Sequence, residues 1–459
     1  MKTYQDLVAV GESEERRFDF IWSAINEYKS SDLYVNAVTA KEYDEHRNVT
    51  ITKFQRMLYT ITGKQVPDKW GANYKLASNF FHRFVTQQTQ FLLGNGCMWN
   101  EQSTEDKLGD DFDARLKEAG HSSLVSGVSY GFFDLDKLRV FNAWEFVPIY
   151  DEENGALMAG IRWWQIDTNK PLRATLYEID GYTEVEQKEG ENILVETKKT
   201  YKTKIRGDAI DREKDTSLYL GENYPSFPIV PLWGNDAHQS ELIGLREQID
   251  CYDLIKSGFA NNVDEASYIY WALNNAGGMD DISLAKFVEH MRILHAANLE
   301  DDGATAEAHS IEAPVDSREK LLDRLSADMY KDFMAFDTER IANGAVTATQ
   351  IKAGYEPLNS KTDDFEYNVK MFLKDILAIA GVDDEPTFTR SKVVNVQEEV
   401  NTVLAAAQYL PQEYVTKKIL TIMGDGDKTD DILEEMEDED VNRYEEMGES
   451  TSEENSEEV

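Results

Sequence analysis

Three basic residues at helical spacing are the first candidates for binding chemistry. Lys320, Arg324 and Lys331 are four and seven residues apart, so on a helix they lie on one face. Such a basic stripe can contact backbone phosphates of a nucleic acid transiently. The alternative is that these side chains form salt bridges to acidic residues of a neighbouring copy, at Glu247, Asp250 or Asp253. Both roles can coexist.

No catalytic motif accompanies this stripe. The sequence has no GxxxxGK(S/T) phosphate loop, no GxGxxG after a strand, no GxSxG elbow and no HExxH helix. His290, His295 and His309 are five and fourteen residues apart, which fits no compact helical metal site. His82 lies beside aromatic residues and is interpreted as a packed or partly exposed histidine. We therefore expect no catalytic residue, no metal and no other cofactor.

The stripe belongs to one of two helices that flank an insert. Over 242–266 apolar residues recur at mostly three- and four-residue steps, as at Leu242, Leu245 and Ile249, while Asp250 and Asp253 are expected to face solvent. Over 316–335 the same spacing follows a capping-box variant formed by Asp316 and Glu319. The next break is at Asn343 and Gly344, and Thr347 with Gln350 predicts the cap of a third helix, which the segment GYEP interrupts.

The rest of the chain predicts an α+β protein. A helix is expected from Asn73 to Leu93, ended by Gly94–Gly96. Between Trp144 and Trp233, segments rich in β-branched and aromatic residues alternate with turn sequences, which predicts an antiparallel sheet. FPIVPLW, with its two prolines, is typical of an edge strand. The tryptophans of this region are assigned to packing, in preference to a stacking surface for sugars or bases: Trp163, Trp164 and Trp233.

Length and composition indicate a folded protein of several domains. The 459 residues are 41% hydrophobic, enough for a sizeable core and about two to four domains. No apolar run approaches the roughly 20 residues that span a bilayer, and MKTYQDLVAV lacks the apolar core of a signal peptide. We expect a cytoplasmic product with no membrane partner. Cys97 and Cys251 have no metal-binding spacing and are interpreted as buried, reduced thiols.

The net charge of −40 argues against ordinary DNA binding, which depends on lysines and arginines that neutralise phosphates. A surface this acidic is expected to repel DNA. A charge that serves only solubility is the alternative. From Asp430 to Val459 the chain has fifteen acidic residues and one arginine, which predicts a solvated, disordered tail.

The order of these segments resembles the portal proteins of tailed bacteriophages, nearest to the siphophage type. The resemblance lies in LIGLREQIDCYDLIKSGFANNVDEAS, an insert, VDSREKLLDRLSADMYKDF, a short loop and TATQIKAGYEPLNSK, with NYKLASNFFHRFVTQQTQFLLGNG upstream. It implies a portal fold divided as follows: N-terminal arm, 1–40; mixed α/β wing with an antiparallel sheet, 41–241; stem helix one, 242–266; small clip, 267–315; stem helix two, 316–335; tunnel loop, 336–346; long helix joining wing and crown, 347–395; helical crown, 396–428; acidic disordered tail, 429–459.

The resemblance also implies a function and its residues. A ring of twelve chains at the unique vertex of the virion capsid would pass double-stranded DNA during packaging and ejection, after assembly in the host cytoplasm. The implied partners are the terminase, the major capsid and scaffolding proteins, and a head completion or adaptor protein. The loop would line the narrowest part of the channel with Asp337, Thr338, Glu339, Arg340 and Asn343. The alternatives are an acidic cytosolic enzyme with paired carboxylates on the wing sheet and a scaffold without a channel.

Overall fold

The computed structural model describes two units of the chain. The first comprises Met1–Phe336 with Pro357–Arg390, and the second comprises Asp337–Glu356 with Ser391–Val459. Within these ranges the structure describes all residues except 12, 60–62, 69–71, 135–136, 189–190, 202–223, 225, 267–269, 275–281, 283–284, 288, 290–304, 310–314, 340–347, 392–395, 424–431 and 434–459.

Helices and strands alternate irregularly along the described residues. The helices are α1 (Tyr4–Val10), α2 (Glu14–Lys29), α3 (Asp32–Asp44), α4 (Val49–Lys53), α5 (Phe80–Leu93), α6 (Gln102–Leu108), α7 (Phe112–Ser126), α8 (Arg246–Ala266), α9 (Val315–Phe333), α10 (Ala348–Ala380), α11 (Val396–Ala406) and α12 (Gln412–Met423). The strands are β1 (Met57–Tyr59), β2 (Gln65–Pro67), β3 (Cys97–Met98), β4 (Val128–Phe133), β5 (Leu138–Asn142), β6 (Phe146–Tyr150), β7 (Leu157–Trp164), β8 (Leu172–Glu178), β9 (Gly181–Lys188), β10 (Glu191–Lys199), β11 (Ile229–Trp233), β12 (Tyr270–Asn274), β13 (Thr305–His309) and β14 (Thr387–Phe388). The predicted α+β class is confirmed.

The largest sheet of the first unit is antiparallel, with strand order β10-β9-β8-β7-β6. Alternate residues of its strands point to one face and are buried there, as Val147 and Ile149 are on β6. Helix α2 covers this face with Phe20, Ile21 and Ile25. Residues 1–40, predicted as a separate arm, therefore contribute to a folded core, in which each fully buried isoleucine is worth about 1.5–3 kcal/mol.

A second sheet of three antiparallel strands has the order β11-β4-β5. Among the described strands, β11 pairs only with β4, so the edge strand predicted from FPIVPLW is confirmed. Pro231, opposite Tyr130, can sit there because an edge strand needs fewer backbone donors. The predicted packing role also holds for Trp163, which is 6% exposed, whereas Trp164 and Trp233 are only partly buried.

Several predicted boundaries were wrong. The helix expected from Asn73 begins at Phe80, and residues 72–79 form neither helix nor strand. Helix α9 begins at Val315, which puts Asp316 in the first turn instead of at the cap. Thr347 lies outside the described residues.

The third predicted helix is not interrupted at GYEP. Helix α10 runs for 33 residues with Pro357 inside it, or roughly 50 Å at 1.5 Å per residue. Proline removes the hydrogen bond to the carbonyl four residues earlier. Pro357 and Ala353 are both exposed, so water can bond that carbonyl and the helix continues.

The part of α10 in the first unit packs against α7 and β4. Phe365, Val369, Phe372 and Ile376 recur at three- and four-residue steps and are at most 1% exposed. Two glycines make room for the aromatic rings. A Cβ atom on Gly120 would lie 3.2 Å from Phe365 Cζ and 2.7 Å from Leu93 Cδ1. The second glycine, Gly131, would place a Cβ 2.5 Å from Phe372 Cζ.

In the second unit, helices α11 and α12 lie against each other, joined through a 3-10 turn at Ala407–Tyr409. The helical structure expected for the segment 396–428 is therefore confirmed. The acidic tail from residue 434 onward lies outside the described residues. Of the helices in the described part of the chain, none combines the length and hydropathy needed to cross a bilayer.

The close packing at Gly131 predicts the effect of a single methyl group. Gly131→Ala should lower the free energy of unfolding by about 1–3 kcal/mol, because the buried Phe372 ring cannot move away without straining the core. Thermal and denaturant unfolding of the purified protein measure this. Gly244→Ala is the control, since a Cβ there meets nothing within 4 Å, and equal stability of the two variants would contradict the prediction.

Candidate functional site

Helices α8 and α9 form an antiparallel hairpin. Two pairs of polar side chains join them near opposite ends: Gln248 donates to Asp332, and the Asn262 amide faces the Arg318 guanidinium. Beyond the hairpin, β12 and β13 pair antiparallel, with Tyr270 opposite His309. The predicted helix–insert–helix order is thus confirmed. Most of the insert, including His290 and His295, lies outside the described residues.

The inner face of α8 binds an extended segment of the chain through three polar side chains. Asp253 Oδ1 accepts from the backbone N–H of Ser78 at 2.8 Å. One turn on, Ser257 Oγ accepts from Leu76 at 3.0 Å, and Asn261 Oδ1 accepts from Tyr74 at 2.7 Å. We call Asp253, Ser257 and Asn261 with these three amides the α8 ladder.

The ladder depends on a match between two repeats. Two residues of extended chain advance about 6.6 Å, and four residues of helix advance about 6.0 Å. Every second amide of residues 74–78 therefore meets every fourth side chain of α8. The three α8 side chains belong to residues that are at most 7% exposed. The polar stripe at four-residue spacing, beside the apolar one, was the sequence signal for this contact.

Asp253 was predicted to face solvent, and that prediction was wrong. It is 0% exposed, and burial raises the pKa of its carboxyl while hydrogen bonds from Asn48 and Ser78 act in the opposite direction. Asp250 also binds within the chain, accepting from Thr50 Oγ1 at 2.7 Å and from Tyr43. A buried Asp253 is unsuited to salt bridges with a neighbouring copy, which weakens that alternative for the basic stripe.

The basic stripe itself lies on the solvent-facing side of α9. Lys320 is exposed, and the side chains of Arg324 and Lys331 are 74% and 64% exposed. Arg324 Nε lies 2.8 Å and Lys331 Nζ 3.8 Å from carboxylate oxygens of Asp328. Hydrogen bonding from Arg324 lowers the pKa of the Asp328 carboxyl. The three cations are thus accessible, and two of them, Arg324 and Lys331, share one counter-charge.

The end of α9 is fixed in the core of the first unit. Phe333 stacks on Phe84 with ring centroids 5.0 Å apart, and Lys361 Nζ lies 3.5 Å from the centroid of the Phe333 ring. Met334 adopts a left-handed conformation with φ of 66°, which ends the helix. The Gln87 side chain then donates to Phe336 O at 2.9 Å and accepts from Phe336 N at 3.0 Å.

The predicted loop begins at this fixed point. In the second unit, the backbone N–H of Glu339 donates to Asp337 Oδ1 at 3.1 Å, an Asx turn, and both Thr338 and Glu339 are exposed. Arg340 and Asn343 lie outside the described residues. The structure therefore brings the basic stripe together on one face of α9, while the role of the loop residues stays a prediction.

The cysteines differ from their prediction. Cys97 is partly buried and Cys251, on α8, is exposed, so the interpretation of both as buried was wrong for Cys251. Burial, with the nearby Asp113 carboxylate, raises the pKa of the Cys97 thiol well above its usual range.

The helix hairpin, the loop and the sheets lie within one long match to known proteins. Residues 40–442 match the family described as phage portal protein, SPP1 Gp6-like. The chain belongs to this phage portal protein family. It is 25% identical over 397 residues to the portal protein of Bacillus phage SPP1, covering 77% of this chain and 74% of that protein. It is 24% identical over 382 residues to the portal protein of Clostridium phage phiCD119, covering 75% and 81%.

Family membership confirms the resemblance and the portal fold expected from it. The match includes α8, α9 and the segment that completes the α8 ladder. The names stem, clip, wing and crown stay predictions for the segments of this chain.

The α8 ladder predicts that replacing Asp253 destabilises the fold more than replacing an exposed acidic residue of the same helix. Asp253→Ala should lower the free energy of unfolding by about 2–4 kcal/mol, because the buried Ser78 N–H loses its acceptor and the Asn48 amide loses one of its two. Hydrogen exchange at the amides of residues 74, 76 and 78 should accelerate by about tenfold or more. Glu247→Ala, at an exposed position, is the control, and unchanged protection of the three amides in Asp253→Ala would rule out the ladder.

Proposed function

We propose that this portal-family protein forms a ring-shaped channel through which double-stranded DNA enters and leaves a phage capsid. The observation that supports the proposal most strongly is the family match over residues 40–442. This range includes a helix hairpin with an accessible basic face. In this proposal α8 and α9 are the stem helices, and the residues after Phe336 form the tunnel loop. The ring occupies the unique vertex of the virion after assembly in the host cytoplasm.

The charge distribution supports a passage in preference to a tight binding site. A chain with a net charge of −40 repels DNA at a distance, which keeps the duplex from adhering to the wall. Lys320, Arg324 and Lys331 then provide a few local contacts to phosphates. Asp328 competes with phosphate for two of these cations, so each contact is weak and easily exchanged as DNA slides.

The loop after α9 is proposed to line the narrowest part of the channel. Its first residues follow a point fixed by Gln87 and the left-handed Met334, so any adjustment to the DNA would occur beyond that point. Asp337, Thr338 and Glu339 are proposed to face the duplex together with Arg340 and Asn343.

Twelve chains are proposed to close into one ring through heterologous interfaces. At 52.4 kDa per chain, such a ring has a mass of about 630 kDa. The proposed partners are the terminase, which supplies the force for packaging, the major capsid and scaffolding proteins, and a head completion or adaptor protein. The absence of a phosphate-loop motif from the sequence is consistent with a separate ATPase.

Neutralising the basic stripe tests this proposal. The triple variant Lys320→Gln, Arg324→Gln, Lys331→Gln should still form rings but reduce DNA packaging by about three- to tenfold, because phosphate contacts are lost. The measurements are ring mass by light scattering and DNA protected from nuclease in a packaging assay. The loss should diminish as salt rises, since salt screens the same contacts.

Arg115→Gln is a matched control, because Arg115 is likewise an exposed arginine on a helix, paired with nearby carboxylates of Glu118 and of Asp111 at the helix cap. It should package like the natural protein. Normal packaging by the triple variant would contradict the role of the stripe. A purified protein of about 52 kDa that forms no ring, even with its capsid partners, would favour the enzyme or scaffold alternatives.

A further inference from the structure

Three helices of the first unit bring an aspartate and two histidines to one point. Asp44 is the last residue of α3, His82 lies in the first turn of α5, and His121 lies in α7. His82 Nδ1 is 2.9 Å from Asp44 Oδ1, and His121 Nε2 is 3.0 Å from Asp44 Oδ2. One oxygen or nitrogen of each residue lies within 4.8 Å of the other two.

We propose that Asp44, His82 and His121 bind a divalent transition-metal ion of the Zn²⁺ class. Imidazole nitrogens favour such ions over Ca²⁺ and Mg²⁺, which prefer oxygen ligands. In a tetrahedral site with bonds of about 2.0–2.1 Å, ligand atoms are roughly 3.3–3.4 Å apart. Asp44 Oδ1 lies 2.9 Å from His82 Nδ1 and 3.1 Å from His121 Nε2, so these two distances need to open by only a few tenths of an ångström. The two nitrogens, which lie within 4.8 Å of each other, would take the same separation when the ion binds.

The partial exposure of the three side chains leaves room for a fourth ligand. Their exposed fractions are 19% for Asp44, 43% for His82 and 26% for His121. The carboxylate is thus held by the protein, while the histidines reach solvent, so water can complete the coordination shell. A site with three protein ligands and an open position is one of the arrangements that zinc adopts in proteins.

The second nitrogen of His82 also has a partner that suits metal binding. Its Nε2 lies 3.3 Å from Thr86 Oγ1, one turn further along α5. With Nδ1 on the metal, Nε2 carries the proton and can donate to the Thr86 hydroxyl. Metal-binding histidines generally donate their other N–H in this way, which fixes the tautomer and the orientation of the ring.

The ion would join helices that support the α8 ladder and the end of α9. Helix α5 follows the extended segment 74–78 directly and carries Gln87, which holds Phe336. Helix α3 carries Tyr43, whose hydroxyl donates to Asp250 on α8. Metal binding would therefore link α3, α5 and α7 beside the residues that hold α8 and the end of α9.

The alternative is a cluster held only by hydrogen bonds, with Asp44 accepting from both imidazoles. The hydrogen-bonded cluster and the metal site differ in their need for an ion. The hydrogen-bonded cluster needs no ion and should be indifferent to chelators, whereas the metal site should bind one ion per chain.

Zinc titration of the full-length protein tests the proposal. Chelator-treated protein is dialysed against Zn²⁺ and its metal content is measured, together with its thermal midpoint with and without Zn²⁺. We expect one Zn²⁺ per chain and a higher midpoint when it is bound. Co²⁺ in place of Zn²⁺ should give the visible absorption of a four-coordinate site.

The variants His82→Gln and His121→Gln should each bind Zn²⁺ at least about tenfold more weakly, with a midpoint that no longer responds to the ion. His238→Gln, which removes an exposed histidine elsewhere in the unit, should keep full binding. Far-ultraviolet circular dichroism of metal-free samples checks that each variant is folded. Folded His121→Gln that binds Zn²⁺ like the natural protein, or natural protein that binds none, would overturn the proposal.

Discussion

Residues 74–78 are extended but belong to no sheet, so their amides need acceptors from elsewhere in the molecule. Helix α8 supplies these acceptors at Asp253, Ser257 and Asn261. The Ser78 amide is buried, so leaving it unpaired would cost about 1–3 kcal/mol. With the part-buried contacts at Leu76 and Tyr74, it fixes the position and the rotation of α8. The face of α8 that meets α9, and with it the solvent-facing side of α9, follows from this constraint.

The same constraint links the hairpin to the core. Segment 74–78 leads directly into α5, which buries Phe81 and Phe84 and holds the end of α9 through Gln87. In the proposed function, a helix pair along which DNA slides needs a rigid opposite face. In this protein the rigid face is polar and hydrogen-bonded at α8 and aromatic at the end of α9, where Phe84 stacks on Phe333.

The elements that were best predicted from the sequence are those whose conformation depends on residues nearby in the chain. The hairpins of the large sheet follow from two-residue alternation and glycine turns such as Gly155 and Gly181, which have positive φ. Helices α8 and α9 follow from apolar spacing. The basic stripe was predictable because its three residues lie on one helix. The solvent exposure of these residues was not predictable, because it depends on which face of α9 packs against the core.

The features that sequence missed depend on distant contacts. The segment before Phe80 has apolar residues at helical spacing, yet its amides bind α8 and so it stays extended. Asp253 follows the polar pattern of a solvent-facing position but is 0% exposed because its partners, Ser78 and Asn48, come from about 200 residues away. Asp44, His82 and His121 are likewise separated by 38 and 39 positions, so no spacing motif connects them.

In the proposed function, the exposed face of α9 borders the passage for DNA. Site-specific photo-cross-linking from position 324 in capsids stalled during packaging tests it most directly, with position 115 as the reference. We expect adducts between the chain and DNA from position 324 and none from position 115. Cross-links from position 324 only to neighbouring protein chains would contradict it and would assign the basic stripe to contacts between subunits.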